Sequence, residues 1–145
     1  MSWAFALALG LQAAAVEPLT TISGQPIALR ELFAGGPVVL VLWNSWLPDS
    51  AEFGPQIVSA AAAARAAEAR CVVVVFQDEP EAARGLPDGD APVLVALDRH
   101  GELLRRFKVT RAPAVLVVGA DGAVRSRGGP GADEVAAALR SLEKP

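Results

Sequence analysis

Apolar residues in this chain gather into short solid runs, separated by polar or glycine- and proline-rich breaks. The run PVVLVLW (37–43) is continuous, of strand length and rich in β-branched residues, which predicts a central strand covered on both faces. CVVVVF (71–76) repeats the pattern and predicts a second buried strand. Between them, NSWLPDS (44–50) leads into an alanine-dominated stretch through Arg70 that predicts a helix. Pro48 suits the first turn of that helix, whereas Pro55 falls inside it and predicts a kink.

The remaining chain is more broken. Gln77, Asp78, Glu79 and Pro80 predict a short acid-capped helix or loop through Arg84, and residues 85–92 read as a connection. Residues 93–97 form a brief apolar run, and 100–108 predict about two helical turns with Leu103, Leu104 and Phe107 inward. Residues 114–118 and 123–127 predict an antiparallel hairpin turning at Asp121-Gly122. Gly128, Gly129 and Gly131 read as a flexible approach to a last helix over 132–142. Before residue 37, Pro18, Gly24, Pro26 and Gly35-Gly36-Pro37 cut the chain into turns and short strands. The order predicts an α/β fold with a mixed central sheet: parallel strands joined by a crossover helix, and an antiparallel pair at one side.

Composition narrows the function classes. With 145 residues, 52% of them apolar and 20% charged, the chain is long enough for one globular domain, assigned to residues 17–145. A net charge of -3 with scattered signs gives nucleic-acid binding no electrostatic support, and Arg105, Arg106, Lys108 and Arg111 read as solvated surface. Residues 1–16 are apolar and end near Ala13-Ala14-Ala15, which predicts an export signal or weak anchor and a periplasmic or exported protein. No Lys or Arg lies near Met1, so a cytoplasmic location stands as the alternative. The segment is shorter than the ~20 residues of a membrane-spanning helix. The single cysteine, Cys71, cannot form an intrachain disulfide and reads as a small buried hydrophobe.

Particular strings point to a family. VLVLWNSWLPDS (39–50) resembles the strand and active-site turn of thioredoxin-like proteins of the TlpA/ResA type, in which a tryptophan precedes Cys-Pro-x-Cys and a helix follows. Pro55 matches their helix-kinking proline. FKVTRAPAVLVV (107–118) resembles their segment with a cis-proline facing the active site, which implies a cis-Pro113 loop. TISGQPIAL (21–29) is similar to their N-terminal hairpin, so the resemblance extends over about residues 19–142. It implies a thioredoxin-like fold, but its chemistry is missing. Leu47 stands where the attacking cysteine belongs and Ser50 where the resolving one does, with Pro48 and Asp49 between them. Phe53 occupies the place of the acid that many of these proteins carry two residues before the proline. Leucine cannot attack a disulfide, and a serine without an adjacent base cannot replace a thiolate.

Other chemistries find little support. Ser50, His100 and an aspartate do not make a hydrolase triad without a nucleophile elbow around the serine. One histidine and one cysteine far apart fall short of a transition-metal site, and Asp78, Glu79 and Glu81 suit a helix N-terminus without any cation. The glycines at 128, 129 and 131 lack the lysine and hydroxyl of a phosphate loop. The expectation is therefore no catalytic residue, no metal and no cofactor, in a redox-inactive module that binds or scaffolds a protein or peptide. Trp46, Ala112 and Pro113 would form its groove beside the degenerate positions Leu47, Pro48, Asp49 and Ser50. The alternatives are a family oxidoreductase with residual or partner-assisted redox activity, and a structural subunit of a larger complex. Membrane contact is expected only through residues 1–16.

Overall fold

The computed structural model describes residues 17–87 and 89–143. The export signal or anchor expected over 1–16 lies outside them. Two very short strands, β1 (Leu19–Thr20) and β2 (Pro26–Ile27), pair as a hairpin and lead into helix α1 (Leu29–Ala34). The alternating core follows: β3 (Val38–Trp43), α2 (Gly54–Ala66), β4 (Arg70–Phe76), a 3-10 turn (Pro80–Gly85), β5 (Leu94–Asp98) and α3 (Glu102–Arg106). The hairpin β6 (Ala114–Val118) and β7 (Val124–Gly128), helix α4 (Ala132–Leu139) and a 3-10 turn (Arg140–Glu143) complete it.

One mixed sheet results, in the order β2-β1-β5-β4-β3-β6-β7. β3 runs parallel to β4, and β4 to β5, while β6 runs antiparallel to β3 and β7 to β6. Every residue of β3 is buried, because the sheet is covered on both sides. Val38, Leu40 and Leu42 face a core with Leu32 and Phe33 of α1 and with Leu103 and Phe107. Val39, Val41 and Trp43 face the opposite core, built with Ile57, Ala60, Ala61 and Ala64 of α2 and Val135 of α4. Alternation along a strand thus divides one apolar run between two layers. The exposed edge strand β7 carries Arg125 and Arg127, charges that discourage pairing with another chain.

Four local expectations need correction. Residues 29–34 form a helix rather than strand or turn, with Leu29, Leu32 and Phe33 buried at helical spacing. α2 begins at Gly54, so Pro48 lies in the turn before it and Pro55 sits at the helix start, where a missing N–H costs nothing and no kink follows. The same helix stops at Ala66 instead of continuing through Arg70. Glu68 takes a left-handed conformation (φ 56°), the Ala69 amide donates to Ala64 O at 2.8 Å, and Arg70 already belongs to β4. Gly128 and Gly129 are packing positions rather than flexible ones. A Cβ on Gly128 would overlap the Glu134 carbonyl oxygen, and one on Gly129 (φ +128°) would lie 2.8 Å from Pro113 O.

α3 starts late for a related reason. Gly101 (φ +67°) redirects the chain, and the buried Asp98 carboxylate then accepts the amides of Glu102 and Leu103, both at 2.9 Å. Asp98 thereby satisfies two of the helix's orphan donors from the end of β5. Among the described residues no helix is long and apolar enough to cross a membrane.

Candidate functional site

Parallel strands β3, β4 and β5 all end at one edge of the sheet, and the turn from Asn44 to Ser50 rises from that edge. Its shape is set by side chains at its foot. Asn44 is fully buried, and its Oδ1 accepts the amides of Trp46 (3.3 Å) and Leu47 (3.1 Å) and the Ser50 hydroxyl (3.4 Å). Those donors fix the amide's orientation and leave Nδ2 without a partner among the described residues. An orphaned buried donor costs about 1–3 kcal/mol, which the three hydrogen bonds gathered on Oδ1 must offset. Trp43 closes the far end, its indole N–H donating to Ser50 O at 3.2 Å.

Asp78, just past β4, holds the turn from the side. Its Oδ2 accepts the Ser45 amide at 2.7 Å and the Ser45 hydroxyl at 2.6 Å, and its Oδ1 accepts the Glu79 amide at 2.9 Å. Partial burial pushes the Asp78 carboxyl upward, but the Ser45 and Glu79 hydrogen bonds outweigh it and hold the pKa below its ordinary value of 3.8. A lowered folded pKa means that this tether stabilises fully above the unfolded value and weakens as pH falls through the folded one. Acid titration followed by NMR at the Ser45 amide should therefore show release below pH 3.8. Asp78→Asn should leave no such transition. A Ser45 transition above the ordinary aspartate value would reverse the assigned sign.

Trp46 stands beside this tether. Its indole N–H donates to Gln77 O at 2.9 Å, yet 58% of the residue remains exposed. Gln77 itself has φ 49°, which turns the chain at the end of β4. Trp46, Leu47, Leu104, Val109 and Ala112 line a groove of about 390 Å³. Leu47 and Ala112 are partly buried against the core beneath. The Ala112–Pro113 peptide bond is cis. Pro113 is buried, so the groove wall at this point is Ala112, and Pro48 points to solvent without lining the groove. Asp49 is exposed on the rim, and Ser50 is 3% exposed behind the turn.

The chemistry available here is limited. Phe53 is 1% exposed and packs in the α2 core, so this position is filled by an apolar ring. Cys71 is buried at the far end of β4, and burial pushes its thiol up to about 12, which leaves almost no thiolate at neutral pH. His100 lies exposed in the turn before α3, and the buried Ser50 hydroxyl donates to Asn44 Oδ1 rather than to an imidazole. Among the described residues no group of three or more His, Cys, Asp or Glu could hold a metal ion.

A sequence profile described as Redoxin matches residues 5–142. The chain belongs to the Redoxin family. No protein of curated function matches it in sequence. Solved structures agree with it in fold. One is a secreted Mycobacterium tuberculosis disulfide oxidoreductase homologous to E. coli DsbE, 24% identical over 84% of this chain and 92% of that one (TM-score 0.63). Another is the dsbF protein of the same bacterium, in mixed oxidized and reduced forms, at 26% identity over 85% and 92% (TM-score 0.64). A third is an exposed lipoprotein thioredoxin of Streptococcus pneumoniae, at 23% identity over 88% and 97% (TM-score 0.66). This Redoxin chain therefore has the thioredoxin-like fold of the thiol-disulfide oxidoreductases, with a single cysteine that lies outside the turn.

Sequence reasoning named Trp46 and the four turn positions as candidates but not Asn44, Asp78 and Gln77, whose oxygens hold the turn. An asparagine directly after a strand is a turn signal that could have exposed the first of these.

Proposed function

We propose that this domain is a redox-inactive protein-binding module that takes an extended peptide into the groove beside Trp46. The observation that carries the reading is an open apolar groove next to a turn that holds Leu47 and Ser50 in place of two thiols. An indole that is 58% exposed, yet pinned through its N–H, supplies a rigid aromatic anchor. Among the described residues, the backbone groups of Thr110, Arg111 and Ala112 make no hydrogen bonds, so an added strand finds free partners there. The secreted and exposed-lipoprotein descriptions of two similar structures, together with the apolar segment 1–16, support an exported location.

The test is Trp46→Ala. Far-UV circular dichroism should not change, while binding of a labelled extended peptide with apolar side chains should weaken about tenfold or more, the scale of a lost aromatic anchor. Undiminished binding would remove the groove reading. Insulin reduction by the parent chain and by Cys71→Ser should be equal and at background; activity lost on that substitution would favour the oxidoreductase reading instead.

A further inference from the structure

We propose that the occupant of the Trp46 groove is an extended peptide with a lysine or arginine two residues from its apolar contact residue, on the same face of the strand, the cation seated at Asp49 and Glu52. This rests on the binding reading above and adds the chemistry of the partner. A second hollow of about 440 Å³ shares Asp49, Arg111 and Pro130 with the groove and is bordered by Glu52, Gln56 and Glu134. The two form one trough, apolar at the Trp46 end and acidic at the other.

The charges in the acidic half do not balance. Arg111 lies 3.5 Å from the Glu134 carboxylate, so its charge is already met. Asp49 and Glu52 are both exposed and have no ion-pair partner among the described residues. At the other end Leu47, Leu104 and Val109 favour an apolar side chain. Alternate residues of an extended peptide lie on one face about 7 Å apart, so one strand can present an apolar residue to the first half and a cation to the second. An acidic peptide would meet the same two carboxylates as repulsion. Because both carboxylates are solvated, the preference is modest and salt-sensitive.

Fluorescence polarisation with three eight-residue peptides tests this, each having a central Val-Leu pair flanked on both sides by lysine, glutamine or glutamate. At about 20 mM salt the lysine peptide should bind roughly tenfold tighter than the glutamine peptide, and the glutamate peptide more weakly than either. In Asp49→Asn/Glu52→Gln the lysine-to-glutamine ratio should fall to about one, and about 0.5 M salt should do the same in the parent chain. Equal affinities in the parent, or a ratio that survives in the double variant, would overturn the proposal while leaving the groove reading intact. Failure of all three peptides to bind would overturn both. Self-association in sedimentation that is lost in Trp46→Ala would place a second copy in the trough and overturn the peptide as occupant.

Discussion

The double substitution Leu47→Cys/Ser50→Cys is expected to turn the domain into a disulfide reductase, at least about tenfold above the parent chain in an insulin-precipitation assay at pH 7. Leu47 is half-buried on the groove wall, whereas Ser50 is 3% exposed and its amide donates to Leu47 O at 3.0 Å. A thiol at position 47 would meet the substrate, and one at position 50 would wait behind it to resolve the mixed disulfide. The gain has a ceiling, because an ordinary thiol of pKa ~8.5 is only about 3% ionised at pH 7. Helix α2 starts only at Gly54, and the influence of a helix N-terminus fades within a turn. Asp49 beside the new thiol opposes the thiolate further. Activity should therefore climb steeply between pH 7 and pH 9. A flat profile would show that the turn stabilises thiolates after all; no gain in a correctly folded variant would show that its geometry does not suit exchange.

The largest stability effect is expected at Gly128→Ala, with a loss of about 3 kcal/mol and a fall in Tm of roughly 10 °C. The added methyl would overlap the Glu134 carbonyl oxygen and press on Ala138 Cβ at 3.3 Å. Backbone of α4 cannot step aside as a flexible side chain could, so β7 and α4 must separate. Gly54→Ala is the control: nothing lies within 4 Å of the added carbon, and the Tm should hold or rise slightly. Equal melting of both variants would show that α4 does not pack on β7 as closely as described.

How much of this could be read from the chain depended on whether a residue's role is local. β3 and β4 were legible because a strand buried on both faces is a solid apolar run whatever surrounds it. Helix α1 was not, since the six residues Leu29–Ala34 are too few to separate helical spacing from an irregular apolar patch. The start of α2 was misplaced because Asn44 draws two amides and a hydroxyl onto one oxygen and holds residues 45–50 outside the helix. An asparagine after a strand signals a turn, but the sequence does not say how many donors its oxygen gathers. The Asp78 tether joins residues 33 apart, and the role of Gly128 depends on a helix that packs on it from elsewhere. Trp46 and the vacated cysteine positions were legible because the surrounding string keeps its pattern without its thiols.

Among the described residues the 44–50 turn is fastened by hydrogen bonds to Asn44, Asp78, Trp43 and the Gln77 carbonyl and by its own Ser50-to-Leu47 backbone bond, and no covalent pair joins positions 47 and 50. In a dithiol protein the same turn is rewritten each time electrons arrive or leave, and its hold on a partner changes with it. On the binding reading proposed above, with Leu47 and Ser50 in place of two thiols, the shape of this turn would not follow the electron supply around it. A partner held in this groove would then be held equally under oxidising and reducing conditions, its occupancy set by its concentration and its fit to the trough.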